Sequence, residues 1–351
     1  MLRQAITAVA VALSVTAASA QELSREAIED ATFAEGDALP SADEQTPLGF
    51  KLQVLLDRAR ISPGILDGYY GMNVEVAVRT FAEREGLEPD RELDAEVWEA
   101  LGGDDEEVLR EYEITEDDVD GPFVDEIPGS FEDMAEMDRL AYTSAEELLA
   151  EKFHMHIDVL RQLNPDVDFS EAGTEIVAAA VPEDRLMRSD VGEASGQIGP
   201  EARDSSRDAV TRIEVDKESE QVRGYNSDDE LLVAYPATIG SEQFPSPEGT
   251  TEVVVAVRDP NYTYTPESDV EGPDEALQLP PGPNGPVGSI WIDLEKEGYG
   301  IHGTSDPAHI RRQESHGCVR LTNWDAEELA VLVEEGAEVE FVEGGSDEDA
   351  S

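Results

Sequence analysis

Acidic side chains set the terms on which this chain can fold. Eighty-two Asp and Glu face 24 Lys and Arg, a formal net charge of −58 over 351 residues. That much like charge repels itself in a compact state, and a buried carboxylate needs a partner. The expected solution is a set of short apolar stretches, each building a modest core, joined by solvated acidic segments. Hydrophobic residues make up 39% of the chain, too many for a disordered protein. The length fits two to three domains. The charge excludes nucleic-acid binding by phosphate neutralisation and docking on an anionic membrane through a basic patch.

The first residues read as an export signal. Arg3 supplies a positive start, residues 5–17 a short apolar run, and Ala18-Ser19-Ala20 a small-residue cleavage pattern. Cleavage before Gln21 is expected, giving a periplasmic protein. Position 21 is not Cys, which argues against a lipid anchor. The apolar run is too short to span a bilayer and no later stretch reaches that length, so no transmembrane segment is expected in the mature chain. Lysine is scarce, four against 20 arginines. An acidic, lysine-poor composition resembles proteins of salt-loving bacteria, where salt screens self-repulsion.

Residues 21–45 read as an acidic linker. Between 46 and 103 the pattern turns helical: Leu52, Leu55, Leu56 and Ala59 recur at helix spacing, then Val74, Ala77, Val78 and Phe81, then Leu93, Val97, Trp98 and Leu101. With Gln53, Asp67-Gly68-Tyr69-x-Gly71 and Gly86-Leu87, this stretch resembles the small three-helix peptidoglycan-binding domain. Ala82 departs from that pattern, where Gln usually follows the Phe. Residues 104–137, rich in Asp and Glu, read as a second linker. Residues 138–183 carry Tyr142-Thr143-Ser144, a helix-capping pattern, then Leu163-Asn164-Pro165, then a Val/Ala strand. Their layout of strand, two helices and strand is similar to a LysM-like glycan-binding module. His154 and His156 are two apart and point to different helix faces, which disfavours a metal pair. Residues 184–207 read as a third linker and 344–351 as an acidic tail.

Residues 208–343 are β-rich. Strands are predicted at 210–215, 220–225, 231–237, 251–257, 289–294, 298–302 and 338–342, with a helix from Thr322 or Asn323 to about Gly336. Long Pro-rich loops cover 259–273 and 279–288. The only cysteine sits in Ser315-His316-Gly317-Cys318-Val319-Arg320, sixteen residues beyond His302-Gly303-Thr304. A thiol near neutral pH is mostly protonated and needs a base, for which imidazole is suited. Glycine lets backbone amides approach a developing oxyanion. Residues 309–321 hold Arg311, Arg312 and Arg320 against Glu314 alone, a basic island in an acidic chain.

His-Gly-Thr followed by Ser-His-Gly-Cys-Val-Arg resembles the active-site signature of the L,D-transpeptidases, the YkuD-type catalytic domain. Ala237-Thr238-Ile239-Gly240, Pro245-Ser246-Pro247-x-Gly249, Pro281-Gly282-Pro283 and Gly285-Pro286-Val287-Gly288 extend the match. The resemblance implies a multidomain α+β protein with a β-sandwich-like catalytic domain. It implies Cys318 as nucleophile and His302 as base. Gly317, His316, Ser315, Thr304 and Gly303 would line the oxyanion or orient the imidazoles, and Arg320 would bind a substrate carboxylate. Cys318 would open the bond between the third-position diamino acid and terminal D-Ala of a peptidoglycan tetrapeptide stem. The thioester would then pass to an amine on a second stem or on an outer-membrane lipoprotein, with acylation by carbapenems also expected. Stem peptides and glycan are thus the implied partners. An amidase using water, and a wall-binding protein without activity, remain alternatives. A structural cysteine, or a zinc site from Cys318, His302, His309 and His316, is the less favoured reading of the same residues. Acyl transfer through sulfur needs no cofactor and no metal.

Overall fold

The computed structural model describes residues 23–87, 92–185, 187, 196–198, 209–240, 245–266, 273, 275–312 and 317–343. The expected signal segment 1–20, the expected tail 344–351, most of the expected 184–207 linker and the motif residues Ser315 and His316 lie outside the described residues.

Four helices open the described chain: α1 (Arg25–Glu29), α2 (Pro47–Arg58), α3 (Met72–Arg84) and α4 (Ala95–Ala100). Thr46 caps α2, accepting the Gly49 N–H, with Pro47 in the first turn where no amide partner is needed. Asp94 caps α4 through the Glu96 and Val97 amides. Gln53 is buried and explains its place in the motif. Its carbonyl accepts the Asp67 and Gly68 amides at 3.0 and 2.7 Å, and its NH2 donates to Asp67 Oδ1 at 2.8 Å. One buried amide therefore pins the Asp-Gly-Tyr turn to α2.

Two of the expected linkers are folded. In residues 21–45, Leu23, Ile28 and Phe33 are buried in the helical core, and Lys51 Nζ donates to the Glu29 and Ala31 carbonyls. Residues 104–137 contain β1 (Leu109–Glu113), α5 (Glu116–Asp120) and α6 (Phe131–Ala135). Asp118 is fully buried there, but Lys152 pairs with it at 2.7 Å and Tyr112 donates to it at 2.6 Å. The acid count read as solvation because those partners are remote in sequence.

Next come α7 (Ala145–Lys152), α8 (Ile157–Leu163) and β2 (Glu175–Ala179), which pairs antiparallel with β1. The order is strand, four helices (α5 to α8) and strand, where a strand, two helices and a strand were expected. The first strand lies at 109–113, however, upstream of the expected start at 138. The module and the helical domain share one hydrophobic core, so no linker separates them.

The C-terminal part holds β3 (Gly196–Gln197), β4 (Val210–Asp216), β5 (Gln221–Tyr225), β6 (Leu231–Pro236), β7 (Gly249–Arg258), β8 (Tyr262–Tyr264), β9 (Leu277–Leu279), β10 (Ile290–Leu294), β11 (Gly300–His302), β12 (Val319–Arg320), α9 (Asn323–Leu332) and β13 (Val333–Val342). Nine of these strands form one sheet, in the order β12-β11-β10-β7-β13-β4-β5-β6 with β3 beside β7. This corrects the sandwich-like expectation. Long β7 pairs with β13 through its first half and β10 through its second, so the sheet is continuous. Its two edges meet just past β6, where Thr238 and Arg320 exchange backbone hydrogen bonds at 2.9 Å. The β6 edge is covered by the helical domain: Ser62 N–H donates to Ala234 O at 2.8 Å, and Ala234 N–H to Arg60 O at 3.0 Å. Hairpin β8–β9, inside the long loop, packs its Tyr264 and Leu279 against Leu140, Phe131 and Met134.

A buried ion cluster joins the three modules. Asp57 of α2 meets His154 at 3.1 Å and Arg185 at 3.2 Å; Arg185 reaches Glu328 of α9 at 3.0 Å and Asp325 at 3.7 Å. Arg185 belongs to the expected 184–207 linker, yet it is buried, because three acids from two modules converge on it. The His154 ring stacks on Trp324 at 5.1 Å. Burial raises the Asp57 carboxyl, but Arg185 and His154 outweigh it and hold the group below its ordinary value. Burial pushes Asp325 up to about 8 against the pull of Arg185.

Candidate active site

Strands β11 and β12 run parallel, with Ile301 opposite Val319 and His302 opposite Arg320. Cys318 stands one residue before Val319, level with Gly300. Side chains alternate along a strand, so Cys318, His302 and Arg320 share one face. The Cys318 Sγ lies 3.7 Å from the Gly298 carbonyl. Burial pushes its thiol pKa up, and the Gly300 amide and Arg320 pull it partly back.

His302 is 4% exposed and stacks on Trp291 at 5.7 Å and 14°. Its Nδ1 lies 2.7 Å from the Gly303 carbonyl. A carbonyl only accepts, so Nδ1 carries the proton and Nε2 keeps its lone pair. Burial, then the nearby Arg320 charge, lowers this imidazole to about 4. Near neutral pH the pair therefore rests as thiol and neutral imidazole. That arrangement suits a base that takes the proton as sulfur attacks.

Gly303 and Gly317 show why glycine is needed. A Cβ on Gly303 would stand 2.2 Å from Asn323 Oδ1. Gly317 has φ +101°, and a Cβ there would meet the Tyr299 ring at 2.8 Å. Among the described residues Thr304 makes no hydrogen bond to an imidazole. Its hydroxyl accepts the Asp306 amide at 3.2 Å and closes the loop, while the Gly303 carbonyl orients His302. Of the basic island, Arg311 is taken by Glu220 at 3.1 Å, and Arg312 is exposed. Arg320 is different. Among the described residues it forms no ion pair, and its buried Nε has no hydrogen-bond partner. His309 bonds Asp306 at 2.8 Å as part of the loop. Among the described residues no three His, Cys, Asp or Glu side chains gather as metal ligands, and no helix is long and apolar enough to cross a membrane.

Sequence reading missed Trp291 and the side-chain role of Asn323, which it named only as a helix start. Asn323 Oδ1 accepts the Ser289 amide at 3.1 Å beside Gly303, and its Nδ2 donates to Glu151 of α7 at 3.0 Å. The amide thus ties the His302 turn to the preceding module. Burial raises Glu151 to about 7. No motif flags such a contact, since it joins residues 172 apart.

Residues 210–341 match the family model of the YkuD L,D-transpeptidase catalytic domain, and residues 50–101 match a model described as "Putative peptidoglycan binding domain". A Bacillus licheniformis protein named "Putative L,D-transpeptidase YkuD" is 34% identical over 128 residues, covering 36% of this chain and 63% of the relative. A Bacillus subtilis protein of the same name is 49% identical over 57 residues, 16% of this chain and 35% of the relative. Escherichia coli "Probable L,D-transpeptidase YbiS" is 25% identical over 203 residues, 56% of this chain and 60% of the relative. The chain thus spans between about a third and two thirds of these relatives. Among solved structures, L,D-transpeptidase 3 of Mycobacterium tuberculosis matches with TM-score 0.31 and 20% identity, over 39% of this chain and 62% of that one. With the motif and the family match in agreement, the chain carries a YkuD-family L,D-transpeptidase catalytic domain at residues 210–341, preceded by a peptidoglycan-binding domain at 50–101.

Proposed function

We propose that this protein is a periplasmic transpeptidase of peptidoglycan, with Cys318 as nucleophile. Sulfur attacks the carbonyl that joins the diamino acid of a tetrapeptide stem to its terminal D-Ala. The C–S bond forms, the C–N bond breaks, and D-Ala leaves as an amine. His302 Nε2 takes the thiol proton and hands it to that amine. A second amine then attacks the thioester, so a C–N bond forms and the C–S bond breaks. His302 takes this amine's proton, and the thiol is regenerated.

The observation that carries this reading is the locked tautomer of His302. Its Nδ1 is tied to Gly303 O, leaving Nε2 as the base on the face that Cys318 shares. Arg320, a guanidinium without an acid of its own among the described residues, suits a stem-peptide carboxylate. The peptidoglycan-binding domain, and the module closed by β1 and β2 as a LysM-like glycan binder, would hold the enzyme on its polymeric substrate.

The test is mass spectrometry of the protein after incubation with tetrapeptide stems or a carbapenem. An acyl adduct on Cys318 is expected, and none on Cys318→Ala. An adduct-free wild type, or a Cys318→Ala variant that still cross-links, would end the proposal. Muropeptide products made with a second stem, with a lysine-bearing lipoprotein peptide or with water alone identify the acceptor. We expect an amine.

A further inference from the structure

The Pro245-Ser246-Pro247 stretch has no role in the chemistry above, yet it sits directly behind the nucleophile. Ser246 is 5% exposed. Its hydroxyl donates to the Gly317 carbonyl at 2.8 Å and accepts the Gly240 N–H at 2.9 Å. A single buried hydroxyl thus bridges the residue before Cys318 to a segment already paired with β12, since Thr238 and Arg320 exchange backbone hydrogen bonds.

Gly317 needs such an anchor. At φ +101° and without a Cβ, it has more backbone freedom than any other residue type. Its peptide to Cys318 is trans, which sets the C=O and the N–H on opposite sides. Holding the carbonyl back on Ser246 turns the Cys318 N–H the other way. It also fixes the point from which the Cys318 side chain leaves the backbone. Tyr299 and the Pro245 carbonyl flank the same glycine, 2.8 and 3.3 Å from where a Cβ would stand.

We propose that Ser246 is a positioning residue for acyl transfer: by anchoring the Gly317 carbonyl it orients the Gly317–Cys318 peptide, so that the Cys318 N–H faces the oxyanion that forms on the substrate carbonyl. This rests on the acyl-transfer reading of the site. Ser246 touches no reacting atom. It acts before the reaction, by removing the wrong orientation of one peptide group.

The experiment compares two reactions of the same sulfur in the full-length protein. Alkylation by iodoacetamide needs a reachable thiol but forms no oxyanion. Acylation by a carbapenem needs both. Ser246→Ala is expected to acylate roughly 10²-fold more slowly while alkylating within about twofold of wild type. Ser246→Thr, which keeps the hydroxyl, is expected to recover most of the acylation rate. Ser246→Val, equal to Thr in size but lacking the hydroxyl, is expected to stay slow. The Thr/Val pair decides the matter if the alanine variant does not fold. Equal acylation by the Thr and Val variants, or parallel loss of both reactions in Ser246→Ala, would overturn the role. A wild type that alkylates but never acylates would instead overturn the reading of the site itself.

Discussion

The junction between the modules and the face around Cys318 both take charged groups out of water, but on opposite terms. At the junction, Arg185 is surrounded by Asp57, Asp325 and Glu328, and His154 has an oxygen at each ring nitrogen. The Arg185 charge there is met by acids from two modules. At the candidate site, His302 has one backbone carbonyl, and Arg320 makes no ion pair among the described residues, with its Nε unpartnered. A protein with 82 acidic residues could readily have paired that guanidinium. The difference separates charge that is paired between modules from a buried charge that makes no ion pair among the described residues.

The largest effect that tests this contrast is on folding. Arg185→Met takes the shared guanidinium from Asp57 and Asp325 and leaves Glu328 with Arg60 alone, and is expected to cost about 3–5 kcal/mol in urea denaturation. Arg320→Met is expected to change stability by less than about 1 kcal/mol. It should instead lower kcat/KM on stem peptides by roughly 10²-fold, mostly through KM. Equal destabilisation by the two variants would dissolve the distinction.

A smaller effect concerns Glu151, held between Tyr142 and Asn323 with its carboxyl raised to about 7 by burial. The folded state favours the protonated acid. The stability this gives is complete below the ordinary carboxylate range and disappears as pH rises through about 7. Thermal midpoints of Glu151→Gln should therefore lose that decline, gaining on the order of 2 kcal/mol over wild type at pH 8. A variant whose midpoint falls with pH as steeply as wild type would show that Glu151 carries no proton in the fold.

The smallest effect is the displacement of one limb of a pH profile. His302 is lowered to about 4, so it remains a neutral base well below the ordinary imidazole range. Carbapenem acylation should hold from pH 7 to pH 5 and halve only near 4. The same sign applies to folding: the depressed imidazole contributes stability above about 6.5 that is lost as pH falls toward 4. An acid limb at 6.5 would mean that His302 is solvated like a surface histidine.

Local pattern was enough for much of this molecule. The heptapeptide-scale motif around Cys318 and the His302 strand were legible because the chemistry needs those side chains at those places. Strands β4–β7 and helices α2–α4 were legible from apolar spacing, which depends on nothing outside the segment. Residues 104–137 were not. Asp118 is a solvated acid in any local reading, and becomes a core residue only because Lys152 lies 34 positions on. Arg185 reaches the Asp57 carbonyl across 128 positions. Thr304, Asn323 and Ser246 are small polar residues whose roles depend on which backbone group lies opposite them.

The amino-acid order by itself determined the proposed nucleophile and base, the strands that carry them and the two domains that families recognise. Those properties follow from residue type and short-range periodicity. Only the tertiary structure decided which acids are buried, which arginine makes no ion pair among the described residues and which carbonyl orients His302. Each of these depends on desolvation and pairing between groups far apart in the chain, and neither exists until the chain has folded.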